Sequence, residues 1–538
     1  MGIPSYFSYI VRNHRNILVQ YKSSKITIHN LYMDCNSIIY DVIYELEKNN
    51  KSLSNDSSLS NDSYIIKLVC DKIKSYINLI KPKNNVYIAF DGVAPFAKMN
   101  QQKTRRYKTC YENNLFKKIG INKVKLFDTT SITPGTEFMS KLSIEINNEF
   151  KNPAIFKLKK LLVSTSEHKG EGEHKIYQYI RDNVEEHRNT TTVIYGLDAD
   201  LIMLTLNHLY ISKSMYLFRE TPYFIKSIDN TLNPNDNYLL NIPEFAKVLS
   251  YELNDNKSTS NNDYNRVFDY IFLCFFLGND FLPHFPSLNI RTTGIDRLMD
   301  VYKKVLTTTK SNLIKNDKIN WNILRKIILE LSKNEEQLLI EEYQLREKQS
   351  KSVKKRKLEK DEKLQSIPLL DRSVEEYINP YENGWRERYY QKLFNINIDD
   401  DRCKQICINY LEGLEWTFKY YREDCKDWKW TYKYNYPPLL CDLVRYIPSF
   451  DTEFITDIND SVEPLTQLSY VLPKSSLYLL PKNIEHELLD KFKNEYDTNI
   501  SIDWAFCRYL WEAHINAGNI NIDDIENIVN NSINTTKK

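Results

Sequence analysis

Val193-Ile194-Tyr195-Gly196-Leu197-Asp198-Ala199-Asp200 sets a short apolar run directly against two carboxylates. A run of this length, rich in β-branched and aromatic residues and closed by glycine, reads as a β-strand. Three more runs share its character. Residues 26–33 lead into Asp34, residues 86–90 into Asp91, and residues 161–164 are followed a few positions later by Glu171 and Glu173. Between them lie helical patterns, at 64–80 and 174–184 for example. Strands alternating with helices predict an α/β fold, with a mostly parallel central sheet flanked by helices on both faces.

Open parallel sheets place their ligand crevice outside the carboxyl ends of the strands. The acids that follow these runs therefore converge on one edge. Asp34, Asp91, Glu171, Glu173, Asp198 and Asp200 arrive from the strands, and Asp280 follows a helical run ending Phe276-Leu277-Gly278-Asn279. Seven carboxylates at one edge repel one another unless cations sit among them. Hard oxygen donors select Mg²⁺ or Mn²⁺ over zinc, and two such ions suit phosphodiester cleavage. Any one of these acids, taken alone, is as well explained as a turn or helix cap.

Just beyond Asp91, Lys98, Gln102, Arg105 and Arg106 recur at i, i+4, i+7 and i+8, which places them on one helix face. From Lys98 to Lys125 nine Lys or Arg face one acid, Glu112, a local charge of +8. A face made of donors alone suits a terminal phosphate, which arginine grips bidentately.

Charge elsewhere is balanced. The 538 residues carry a net charge of only +2, so a nucleic-acid site must come from local charge. The length calls for at least two packed units. Nine scattered cysteines without zinc spacing point to reduced thiols, hence a cytoplasmic setting with the nucleus as the alternative. No apolar run reaches the length of a membrane span. Residues 52–63 repeat Ser-Leu-Ser-Asn-Asp-Ser and are read, like 254–265, as a surface loop. Residues 335–365, with Lys354-Lys355-Arg356-Lys357, read as a solvated charged helix or linker, and the polar tail after about 530 as frayed. The division expected is 1–330 for the acid and phosphate sites, 331–380 for a charged helical linker and 381–530 for a second packed region.

These stretches together resemble the XRN family of 5′→3′ exoribonucleases. The likeness runs from Met1-Gly2-Ile3-Pro4 through Met33-Asp34-Cys35-Asn36-Ser37, Phe90-Asp91-Gly92-Val93-Ala94-Pro95 and Ile132-Thr133-Pro134-Gly135-Thr136. It continues through Gly170-Glu171-Gly172-Glu173-His174, Gly196-Leu197-Asp198-Ala199-Asp200 and Gly278-Asn279-Asp280-Phe281-Leu282-Pro283. A second block, Gly384-Trp385-Arg386-Glu387 to Trp428-Lys429-Trp430, carries it to about residue 450. The resemblance implies a sheet like that of PIN and flap nucleases, with a helix-rich second region. It makes the seven acids the ligands of two Mg²⁺ ions, and Lys98, Gln102, Arg105 and Arg106 a 5′-phosphate pocket sized for one phosphate. The substrate implied is single-stranded RNA with a 5′-monophosphate, cut processively to mononucleotides by a monomer. Where the family has a base-stacking histidine, this sequence has Tyr40, and the stacking tryptophan is expected at Trp428 or Trp430, with Trp416 as a third candidate. The rival readings are a structure-specific flap endonuclease, which lacks its duplex-gripping glycine-rich hairpin here, and an inactive RNA-binding homologue.

Overall fold

In the computed structural model, residues 2–3, 5–23, 25–48, 60–120, 126–220, 226, 230–234, 236–254, 265–309, 311–497 and 500–536 are described. The four apolar runs form adjacent strands of a seven-stranded sheet. Its strands are β1 (Leu18–Gln20), β2 (Asn30–Asp34), β3 (Asn85–Ala89), β4 (Lys160–Ser164), β5 (Thr192–Tyr195), β6 (Met215–Arg219) and β7 (Tyr238–Asn241). They lie in the order β1-β7-β6-β5-β2-β3-β4. The five from β6 to β4 are parallel, and β7 and β1 close one edge antiparallel.

Strand β2 begins at Asn30, later than the apolar pattern of residues 26–33 suggests. Its ladder starts where both neighbours start, with Asn30 opposite Asn85 and Thr192, so partner length and not apolarity sets the end. Strands β1, β6 and β7 are not among the runs read from the sequence: β1 and β7 are only three and four residues long, and the β6 run Met215–Arg219 ends in a charged residue.

Alternate residues of the central strands serve opposite faces. Leu31, Met33, Val86, Ile88 and Val193 pack under the helices Asn36–Lys48, Asn61–Ile80 and Glu137–Glu149. Tyr32, Ala89 and Ile194 face the helices Gly172–Asp182 and Asp200–His208. That second core continues without a break into Tyr410, Leu414 and Trp416 of the helix Asp400–Arg422.

Of the segments read as loops, 52–59 and 255–264 lie outside the described residues. Ser60 accepts from the Ser63 N–H and caps the helix Asn61–Ile80, so the end of the repeat is helix. The tail is also helix, Ile522–Thr536, because Ile525, Ile528 and Val529 are buried against the 464–492 segment. In the charged stretch the helix Glu335–Lys355 buries Arg346 on Glu375, while Lys354–Lys357 are exposed. Among the described residues no helix is long and apolar enough to cross a membrane.

Candidate active site

Strand order reverses around β2: β3 and β4 lie to one side, β5 and β6 to the other. The crevice expected at such a reversal opens beyond the carboxyl ends of β2 and β5. There a cavity of about 590 Å³ is lined by Asp34, Asp91, Glu171, Glu173 and Asp198. Asp200 and Asp280 stand behind this wall.

Each acid is delivered by a local feature. Asp34 is the last residue of β2, and Asp91 lies two residues past β3. Asn36 clamps Asp91: its amide donates to Asp91 Oδ2 at 2.6 Å, and its carbonyl oxygen accepts the Asp91 N–H at 3.1 Å. The Gly172 N–H donates to the other oxygen of Asp91 at 2.7 Å. Glu171 and Glu173 flank that glycine at the start of the helix Gly172–Asp182, where the positive end of the helix dipole favours carboxylates. A Cβ on Gly172 would come within 2.5 Å of Asp34 Oδ1, so only glycine lets the helix start so close. Gly2 has the same constraint. Its φ is +56°, and a Cβ there would overlap Asp200 Oδ1 at 1.7 Å.

Burial and mutual repulsion raise Asp34, Asp91, Glu173 and Asp200, whereas nearby positive charge, Lys98 included, holds Asp198 and Asp280 below the carboxylate range. Asp34 is pushed well above the carboxylate range by burial, then by Asp91 and Asp198. Glu173 rises by burial and by Glu171, and Asp200 reaches about 7 through burial and Asp280. Lys98 is the counterweight. Its Nζ lies 2.5 Å from Glu171 Oε1 and 2.8 Å from Asp280 Oδ2. Burial alone would lower its pKa, but Asp280, Glu171 and Glu173 hold it well above normal. One ammonium does not satisfy the cluster. Asp34 Oδ1, Glu173 Oε2 and Asp200 Oδ1 are buried without a hydrogen-bond partner. Hard, anionic and unpartnered oxygens are the donor set a divalent cation takes. Glu171, Glu173 and His174 offer ligand atoms within 4.8 Å of one another, which adds a histidine that the strand-end reading passed over. Burial drives the pKa of His174 well below normal, so it is a neutral ring.

The opposite wall is the helix Phe96–Lys118, from which Lys98, Gln102, Arg105 and Arg106 all line the cavity. Burial lowers Arg106 to about 10, still charged at neutral pH. Its Nη2 donates to Thr133 Oγ1, and its Nη1 is buried without a partner. The Gln102 side-chain oxygen accepts from Gln467 Nε2 at 3.2 Å, and Gln467 is anchored by the Ala94 N–H at 2.9 Å. That bond leaves the N–H groups of Gln102 available as donors. Tyr40 lines the cavity between the two walls and is 47% exposed, and Arg106 and Arg105 oppose the upward push of burial on its hydroxyl. The cavity does not close behind one phosphate. It continues along the same helix past Thr109 and Cys110 to Asn113.

The tryptophans stand elsewhere. Trp430 is buried and stacks on Trp416 at 5.1 Å, Trp416 stacks on Tyr420 at 4.8 Å, and Tyr420 on His174 at 3.7 Å. The Tyr420 hydroxyl ends this column by donating to Glu171 Oε2 at 2.6 Å. Trp428 is half-buried beneath Lys169, and its carbonyl accepts the Phe96 N–H at the start of the basic helix. None of the three is in the cavity lining. Aromatic packing covers the rings of Trp416 and Trp430, while the half-buried Trp428 carries Lys169 over its ring, 5.2 Å from the centroid.

Residues 1–221 match the family described as XRN 5′-3′ exonuclease N-terminus, and residues 261–376 and 370–517 match the Xrn1 helical domain. The chain belongs to the XRN family. Among curated XRN relatives, the 5′-3′ exoribonuclease 2 homolog of Drosophila melanogaster is 27% identical over 640 residues, which is 95% of this chain and 69% of that protein. The 5′-3′ exoribonuclease 1 of Saccharomyces cerevisiae is 27% identical over 95% of this chain and 42% of its own length. Human 5′-3′ exoribonuclease 1 is also 27% identical, over 95% of this chain and 33% of that protein. The chain thus spans between a third and about two-thirds of these relatives. Its acid site draws on both matched parts, since Asp280 and Tyr420 come from the helical one.

Proposed function

We propose that this chain is a divalent-cation-dependent 5′→3′ exoribonuclease that removes mononucleotides from single-stranded RNA bearing a 5′-monophosphate. The observation that carries this reading is one cavity with two opposed walls: carboxylates with unpartnered oxygens on one side, and a helix face of donors on the other. The names of the relatives, all 5′-3′ exoribonucleases, supply the same activity.

Asp34, Glu173 and Asp200 would hold the cations first, since their free oxygens need them most, with Asp91, Glu171, Asp198 and Asp280 completing the set. Bound Mg²⁺ or Mn²⁺ would supply a nucleophilic water and stabilise the leaving oxygen. The rest is done by the chain. Arg105 and Arg106 hold the terminal phosphate, Gln102 adds neutral donors fixed by Gln467, and Tyr40 offers its ring to the first base. Fixing the 5′ end in this way places the next phosphodiester against the acids.

The test is incubation of unstructured RNA, with either a 5′-monophosphate or a 5′-hydroxyl, in magnesium or in EDTA. Mononucleotides from the monophosphorylated RNA in magnesium alone are expected. Internal cleavage, or equal rates on both ends, overturns the reading. A second reading, RNA binding without cleavage, is favoured by the partial neutralisation of the acids by Lys98. It predicts tight binding and no products under any divalent cation.

A further inference from the structure

We infer that the outer half of the cavity, beyond Arg106, is the exit for the nucleoside 5′-monophosphate product, so that the product leaves ahead of the advancing RNA. The inference rests on the exonuclease reading above.

The geometry is a groove along one helix face. Lys98, Gln102, Arg106, Thr109, Cys110 and Asn113 all line the same cavity. At 1.5 Å per residue, Lys98 to Asn113 covers about 22 Å. A terminal phosphate needs only the first half of that length. Beyond Arg106 the lining changes chemistry. Thr129, Thr130, Ser475 and Ser476 supply hydroxyls, Asp128 supplies an acid, and among the described residues the cations in the lining are Lys98, Arg105 and Arg106. Phosphate affinity therefore falls on leaving Arg106, as an exit requires and a second binding site does not. Among the described lining residues, further phosphates on a triphosphate end would meet Asp128 and no cation, so the space is poorly suited to a longer 5′ end. Thr109 and Ser475 are exposed, so the groove reaches solvent there.

Topology supplies the need. The cleaved nucleotide lies between the arginines and the remaining RNA, which itself lies against the acids. The shortened RNA must move into the space the product occupies, and a product retreating past the acids would collide with it. A forward opening removes the conflict.

Cys110 gives a handle on this passage. It lines the groove one turn past Arg106, and its Sγ meets Ser475 Oγ of the facing wall at 3.8 Å, a contact that must part for a nucleotide to pass. The full chain is treated with methanethiosulfonates carrying a methyl or a benzyl group, each of which forms a mixed disulfide with the thiol and expels sulfinate. Removal of successive nucleotides from a 5′-monophosphorylated RNA is then followed in one time course. The benzyl adduct is expected to leave the first cleavage within about twofold of normal and to slow later ones at least tenfold. The methyl adduct should do less, dithiothreitol should restore the rate, and Cys110→Ser should be insensitive. Cys110→Trp needs no reagent and should reproduce the block. Normal later cleavages in both the labelled protein and Cys110→Trp overturn the inference. So does a first cleavage slowed as much as the rest, which makes the space part of the substrate site. If the untreated protein releases no mononucleotide at all, the exonuclease reading falls and the exit with it; the untreated lane separates that case from the others.

Discussion

Lys98→Met should destabilise the cation-free protein and make it more responsive to magnesium. Lys98 Nζ touches Glu171 and Asp280, whose side chains are 6% and 3% exposed, so its removal strands buried carboxylates. Breaking such a pair from one side costs about 3–5 kcal/mol. A chain of this length unfolds with an entropy near 1.1 kcal/mol/K, by about 2.1 cal/mol/K per residue, so the melting temperature in EDTA should fall by about 3–4 °C. Magnesium then repairs what the ammonium had done. Ligand-linked stabilisation grows as RT ln(1 + [L]/Kd), and Kd falls when the competing lysine is gone. The magnesium-induced rise in melting temperature should therefore exceed that of the parent by a similar 3–4 °C, as measured by scanning fluorimetry with EDTA and millimolar magnesium. An equal rise in both proteins would refute the idea that Lys98 and the metal share the same acids.

Asp198→Asn and Glu173→Gln should each abolish exonuclease products while circular dichroism stays that of the parent, because each removes a charge from the ion-binding set and keeps its shape. Arg105→Ala should narrow the preference for a 5′-monophosphate over a 5′-hydroxyl by about 2 kcal/mol, or about 30-fold in competition between the two RNAs. Tyr40→Ala should weaken RNA engagement by about 1–3 kcal/mol while Tyr40→Phe stays close to the parent, since the ring makes the stack; equal damage in both would assign the contact to the hydroxyl. Stability should fall as the pH drops below about 6.5. Buried His208, lowered to about 3 by burial, accepts from Arg181 Nη1 and donates to the Leu204 carbonyl, so the unfolded chain takes up a proton that the folded one refuses. That costs about 1.4 kcal/mol per pH unit at this residue, and urea titrations of His208→Gln should show a shallower slope.

The part of the fold legible in the sequence was the part encoded locally. A strand such as Val193-Ile194-Tyr195 announces itself by its own residues, and an acid at its end follows within a few positions. The basic face was equally local, since helical spacing alone aligns Lys98, Gln102, Arg105 and Arg106. Asn36, Gln467 and Tyr420 were beyond reach because their work is done on Asp91, Gln102 and Glu171, which lie 55, 365 and 249 residues away. Nothing in a tryptophan's neighbours along the chain says whether its ring meets a base or another ring. Trp430 was legible as an aromatic but not as one layer of a column. Strands β1, β6 and β7, which extend the sheet beyond β5, were lost for a related reason. Their pairing is dictated by the sheet they complete, and Met215-Tyr216-Leu217-Phe218-Arg219 could serve many other elements as well.

The aromatic column from Trp430 to Glu171 bears on how such a protein can be taken apart. The acid-edged sheet ends near residue 241, yet one of its carboxylates is Asp280, another is held by Tyr420, and the sheet's own core runs into the helix Asp400–Arg422. A fragment confined to the sheet would carry most of the acids and little of what positions them. The cutting edge is therefore not a portable cassette. Grafting it onto another scaffold, or exchanging sheets between family members, requires the helix that bears Tyr420 and the segment that bears Asp280 to travel with it.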